Sequence, residues 1–252
     1  MSSNILCILA HQDDEYALSS RIRHETADHS NIKVMYLTDG AYNVDSGKRN
    51  RECIKALHEL KVDTNDIIFL GNENSIKVIK LCYHLNDIYP KILEFSKNNN
   101  INKIFTLSYE GGNPDHDSCY LISLALAKEL KIIENTFQFP IYNSNSMPYK
   151  LFRVMTCVND RAVIVRKLNF YEAFKSAFLF RYYKSQWKSW IGLAPEAIFK
   201  YLILRRELFQ TVDLDITRYR PHDGPLYYEK RKWITFENFM SATSQFRNKY
   251  LY

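Results

Sequence analysis

Three absences narrow what this sequence of 252 residues can be. No apolar run approaches the roughly 20 residues that a membrane-spanning helix needs. The first run, Ile5 to Ala10, is six residues long and has no positive charge before it, which argues against a secretory leader. A cytoplasmic chain without a membrane span is expected. No C-x-x-C pair occurs, and Cys7, Cys53, Cys82, Cys119 and Cys157 are odd in number and scattered. Such spacing suits reduced, mostly buried thiols better than a disulfide frame or a structural zinc knot. No linker, repeat or low-complexity tract marks a boundary, so one domain is expected over residues 1–252, with 1–135 as its core and 136–252 as an extension.

What is present is a soluble globular composition, with 25% charged residues and a net charge of +6. The mild basic bias permits an anionic substrate without demanding one. Ile5 to Ala10, Ile32 to Thr38, Asp66 to Leu70 and Lys103 to Ser108 are short apolar runs that predict strands. Between them lie helical patterns from Tyr16 to about His24, from Ser46 to Lys61 and from Ser75 to about Lys97, the last with a kink or break expected at Pro90. Strand and helix in alternation predict an α/β fold with a parallel sheet. A further helix runs to about Leu130. Beyond it, strands at Thr136 to Tyr142 and Arg161 to Lys167 and an aromatic helix from Asn169 to about Tyr183 are expected to extend the sheet and wall the site. A helix after Pro195, a turn-rich loop at Arg220 to Glu229 and a short final helix complete the pattern.

The chemistry gathers at two strand ends. The first carries His11-Gln-Asp-Asp-Glu15 and the fourth Tyr109-Glu-Gly-Gly-Asn-Pro-Asp-His-Asp117. Loops at the carboxyl edge of a parallel sheet open on the same side and can converge. Two imidazoles and a carboxylate are the ligand set of a catalytic zinc and equally of a non-haem iron. We therefore expect His11, Asp14 and His116 to bind Zn2+, with Fe2+ as the alternative, and Asp13 to stay free as a base. A simpler reading makes Asp14 and Glu15 first-turn helix residues that complement the helix dipole, but that role needs no imidazole. Asp115 and Asp117 are expected to cap the helix that follows them.

The opening stretch resembles the Ala-His-Pro-Asp-Asp-Glu signature of the PIG-L/LmbE-like N-acetylglucosaminyl deacetylases. Thr38-Asp39-Gly40 is similar to that family's Thr-Asp-Gly turn, Arg49-x-x-Glu52 to its Arg-x-x-Glu helix, and Glu110-Gly-Gly-Asn-Pro-Asp-His116 to its Gly-His-Pro-Asp-His loop. Order and approximate spacing hold over residues 5–130, and Tyr183-Lys-Ser-Gln186 more weakly resembles a C-terminal Ser-Gln segment of some bacterial members. The resemblance implies a Rossmann-like fold, the same three metal ligands, Asp13 as general base and hydrolysis of an acetamide on an N-acetylated sugar conjugate. In that chemistry an activated water attacks the amide carbon, and acetate and an amine are the products. The resemblance also implies that Arg49 helps hold substrate, while an exposed helix-surface arginine is the plainer reading.

Two departures stand out. Gln12 replaces the family's proline and Asn113 the first histidine of its second motif. Asparagine donates a neutral hydrogen bond but no proton, so a second catalytic group is called for. His222, in Arg220-Pro-His-Asp-Gly-Pro225, is a candidate substitute, against the plainer reading of a surface-loop histidine. The same departure leaves open a sugar- or nucleotide-sugar-binding protein with weak or lost activity, although a mere binder has no need of Asp13. Finally, Phe180 to Trp190 interleaves aromatics with cations. At helical spacing these residues are expected to pack on the core with the cations reaching to water, in preference to a nucleic-acid or membrane-surface role. Oligomeric state is not legible.

Overall fold

The computed structural model describes residues 3–42 and 44–252. The chain opens with β1 (Asn4–Leu9), buried from Ile5 onward, followed after a short 3-10 turn by α1 (Ser19–Ala27). Then come β2 (Asn31–Tyr36), α2 (Ser46–Glu59), the two-residue β3 (Ile67–Ile68), α3 (Leu70–Glu73), α4 (Leu85–Asn98), β4 (Lys103–Leu107) and α5 (Pro114–Leu130). The remainder supplies β5 (Thr136–Phe139), the small hairpin β6 (Tyr142–Asn143) and β7 (Arg153–Val154), β8 (Ile164–Lys167), α6 (Phe170–Ala177), α7 (Trp187–Phe199), β9 (Arg206–Thr211), α8 (Tyr227–Lys230) and α9 (Phe236–Tyr250).

Seven strands form one sheet in the order β3-β2-β1-β4-β5-β9-β8. The first five are parallel, and β9 and β8 join antiparallel at the far edge. This is the mostly parallel, helix-flanked α/β architecture expected. Because β1 pairs with β2 on one side and β4 on the other, the chain reverses its direction of travel across the sheet between β1 and β4. Loops part at such a switch point and leave a crevice. Residues beyond 135 add β5, β9 and β8 to the same sheet, so the second half does extend it.

Several local expectations are corrected. Helix α1 starts at Ser19, because Asp14–Tyr16 form a 3-10 turn. Pro90 does not break its helix: α4 runs through it from Leu85, and residues 75–84 are turns and loop with a 3-10 helix at Leu81–Tyr83. Pro90 is exposed, on the side of the helix where a carbonyl left without its amide partner is open to solvent. The predicted aromatic helix stops at Ala177, and Pro195 lies inside α7, where a start was expected. The final helix is 15 residues long, not short. Strand β9 was not foreseen, because Arg206 and Glu207 interrupt its apolar pattern.

The five cysteines are unbonded, four of them buried. Among the described residues, no helix is long and apolar enough to cross a membrane.

Candidate metal centre

The sheet brings the two loops together as the parallel arrangement requires. His11, Asp14 and His116 are all buried, and one ligand atom from each lies within 4.8 Å of the others. Asp14 is held by its own loop: Oδ2 accepts from the backbone amides of Ala10 at 3.0 Å and His11 at 2.7 Å. Its Oδ1 faces His116 Nε2 at 3.3 Å. His11 Nε2 is hydrogen-bonded to Asp115 Oδ2 at 3.0 Å. With that nitrogen donating, Nδ1 turns its lone pair toward Asp14 Oδ2, 3.6 Å away. Two acceptors facing each other in a buried site call for a positive charge between them. The titration behaviour says the same: against burial, which lowers it, Asp14 and Asp115 push the His11 imidazole up to about 10. Burial raises the Asp14 carboxyl, yet the two imidazoles hold it well below the ordinary range. The donor set and its field therefore fit a divalent cation.

Asp115 is the residue whose role the sequence reading missed. It does not cap α5; Asn113 does, its side chain accepting from the Asp115 amide at 2.9 Å. The Asp115 carboxylate instead accepts from the amides of Ile79 at 2.6 Å and Leu81 at 3.1 Å while it orients His11. A carboxylate behind a ligating histidine fixes its tautomer and raises its basicity. Asp117 is likewise no cap: it accepts from the amides of Glu110 and Gly111 at 3.0 and 3.2 Å and folds that loop back on α5.

Asp13 sits beside the cluster with φ at 144°, a conformation that non-glycine residues rarely hold. Its amide donates to Glu15 Oε2 at 3.0 Å. Glu15, buried with its carboxyl pushed up to about 8 mainly by burial, accepts from the Tyr183 hydroxyl as well. Strain of this kind persists only where surrounding bonds over-determine it. Arg49 supplies the remaining constraint. It is buried, not on the helix surface, and donates to Asp13 Oδ1 at 3.0 Å and to the Gln12 carbonyl. Burial raises the Asp13 carboxyl above its ordinary value, with Arg49 pulling the other way.

The loop after β4 is shaped by contacts with the end of β5. Glu110 accepts from the amides of Ile141 at 2.8 Å and Tyr142 at 3.0 Å. Gly112 lies so close that a Cβ there would stand 2.0 Å from the Tyr142 carbonyl oxygen. The result puts the Tyr142 ring 5.4 Å from that of His116 and its hydroxyl 3.4 Å from Asn113 Nδ2. Tyr142 was not foreseen, yet it follows a parallel strand at the same sheet edge as both motifs, a signal that could have found it.

One turn beyond Arg49, Glu52 accepts from the Ser185 amide at 3.0 Å and its hydroxyl at 2.5 Å. It thereby ties the Ser-Gln segment to the site. Gln12 is buried, its amide donating to Asn50 at 2.7 Å, and it packs against Gly40, where a Cβ would stand 1.7 Å from Gln12 Oε1. Above the floor opens a cavity of about 490 Å³. His11, Asp13, Asp14, Arg49, Asn113, His116 and Tyr142 line it, with Phe152, Trp190, Tyr227 and Trp233 as aromatic walls. His222 is not among its lining residues. Its Nδ1 is hydrogen-bonded to the Asp223 carbonyl at 2.7 Å, within its own loop.

The family model PIG-L, described as GlcNAc-PI de-N-acetylase, matches residues 6–127. The match covers just under half of the chain, the part that carries both loops. Among solved structures, this chain is similar to a triple mutant of a deacetylase in the teicoplanin biosynthetic pathway. The identity is 15%, with 83% of this chain and 97% of that one covered and a TM-score of 0.61. N,N'-diacetylchitobiose deacetylase from Pyrococcus horikoshii is 14% identical, with 88% of each chain covered and a TM-score of 0.58. The zinc-inhibited form of teicoplanin deacetylase Orf2 is 13% identical, with 84% and 99% covered and a TM-score of 0.59. At these identities the likeness establishes a shared fold. No curated protein matches the chain.

Proposed function

We propose that this protein is a metal-dependent N-deacetylase acting on an N-acetylated amino-sugar conjugate. The observation that carries the reading is the buried group of His11, Asp14 and His116 at the floor of a cavity, with the Asp13 carboxylate beside it, inside a PIG-L segment. His11, Asp14 and His116 would hold the ion. A bound Zn2+ or Fe2+ supplies Lewis acidity, polarising the acetyl carbonyl and making water acidic enough to ionise near neutral pH.

The chain's own groups do the rest. Asp13, oriented by Arg49, takes the proton of the attacking water and passes it to the departing amine. Asn113 Oδ1 is committed to the α5 cap, but its Nδ2 donates to the Tyr142 hydroxyl. That leaves the Tyr142 proton free to point into the cavity at the carbonyl oxygen where charge develops. The rings of Phe152, Tyr227 and Trp233 offer apolar faces for the C–H face of a pyranose. The solved deacetylases of similar fold act on N,N'-diacetylchitobiose or in the teicoplanin pathway, which supports a small glycoconjugate as substrate. A zinc-inhibited neighbour supports a divalent ion.

One observation favours a second reading. Asn113 supplies no proton where the family has a histidine, as a sugar-binding protein that has lost turnover could afford. Acetate release from a panel of N-acetylglucosamine conjugates, with zinc- and iron-loaded protein, separates the two. Release from at least one conjugate, lost on chelation, is expected. Tight binding without release from any conjugate would establish the binder.

A further inference from the structure

The charge of this protein is unevenly spread. Residues 161–206 hold ten of the chain's 34 lysines and arginines but two of its 28 carboxylates, so this segment is +8 and the rest is −2. Both carboxylates are already paired, Glu172 with Arg166 and Glu196 with Lys200, each at 3.0 Å. Lys184, Lys188, Arg205 and Arg206 remain exposed.

An apolar stripe runs between these cations. Along α7 and the π-helical turn Lys200–Leu204 that continues it, Trp187, Ile191, Phe199 and Ile203 fall on a four-residue spacing. Each of the four is at least 50% exposed. Helix α6 adds exposed Phe170, Tyr171 and Phe174. A row of ring contacts joins the two sets, from Phe174 to Phe178 at 4.9 Å, on to Phe180 at 6.4 Å and to Trp190 at 5.7 Å. The sequence expectation for Phe180 to Trp190 therefore holds for the buried Tyr183 and Trp190 but not for Trp187.

Exposed apolar area on this scale marks a contact surface. At 13 residues α7 is too short to span a bilayer. A helix with aromatic and aliphatic residues on one face and flanking cations instead lies in the headgroup region, drawn there by anionic lipid. We propose that α6 and α7 dock this protein on an anionic phospholipid bilayer. The opposite side of α7 presents Ser189, Leu193 and Ala197 to the cavity above the metal centre, so docking sets that cavity against the membrane surface. The proposal is independent of the reaction assigned above.

Flotation of the full chain with vesicles of phosphatidylcholine alone, and of phosphatidylcholine mixed with phosphatidylglycerol, tests it. Wild type is expected to float with the mixed vesicles, less with the neutral ones, and to be released by salt. A Trp187→Ser, Ile191→Ser, Phe199→Ser variant and a Lys184→Glu, Arg205→Glu, Arg206→Glu variant are each expected to lose about tenfold or more in partitioning, with an unchanged melting temperature. If the apolar variant melts early, the charge variant and the salt release decide alone. The proposal is overturned by wild type that ignores both vesicles, or by variants that float like wild type. It is overturned equally by a wild-type dimer that the apolar variant dissolves without any vesicle binding, or by retention on an oligonucleotide in place of vesicles.

Discussion

At the scale of single residues, the account turns on Asp13, held in a strained conformation by Glu15 behind it and Arg49 beside it. Asp13→Asn removes the proposed base and keeps the shape, so acetate release should fall about 10²- to 10⁴-fold while bound metal, measured by elemental analysis, stays at the wild-type level. Asp117 makes a prediction about stability. Burial holds its carboxyl protonated well above the ordinary value of 3.8, and Oδ2 has no partner among the described residues. The folded chain thus keeps a proton that the unfolded chain gives up. Its contribution is complete below that ordinary value and is lost as pH rises toward the raised one. Asp117→Asn should flatten this loss, seen as urea midpoints that no longer decline across the acid range. The His11, Asp14 and His116 grouping was legible because ligand chemistry at two strand ends has few other uses. Asp115 was not, since a carboxylate one residue after the proline of a helix start satisfies a capping pattern equally well. Only its contacts with Ile79 and Leu81, far off in sequence, distinguish the two.

At the scale of elements, three strand-end loops build the site, and each is locked by another. Glu110 clamps the end of β5 to the loop after β4, and Gly112 allows the two backbones to touch. Gly112→Ala must push them apart, and we expect it to cost on the order of 1–3 kcal/mol, as overpacking does, readable as a lower melting temperature together with reduced sugar binding. Glu52 holds the approach to α7, so Glu52→Ala leaves the Ser185 amide without its acceptor. It should raise KM for a conjugate more than it lowers kcat, because the residue touches no reacting group. β1, β2 and β4 were legible as apolar runs closed by turn signals, and α2 by its spaced apolar residues. β3 and β9 were not: one is two residues long, and the other carries charge because it lies toward the antiparallel edge. The Tyr142 hairpin was hidden for a similar reason, its place being set by Glu110 and not by local pattern.

At the scale of the whole molecule, the switch between β1 and β4 places the candidate metal centre and the extension closes over it, so metal loading and stability should be linked. A ligand that binds only the folded chain stabilises it by about 2.7 kcal/mol at a hundredfold excess over Kd, and the melting temperature should rise accordingly on loading. The fold and the meeting of the two loops were legible from the alternation of strand and helix. The aromatic walls were not, because they come from the divergent second half, where tertiary packing decides position. The most direct test of the account is titration calorimetry of chelator-treated protein with zinc and with ferrous iron, comparing wild type with His116→Ala. The account predicts one tightly bound ion per chain in wild type and loss of that binding in the variant. A wild type that takes up neither ion, or a variant that binds as tightly as wild type, would contradict it.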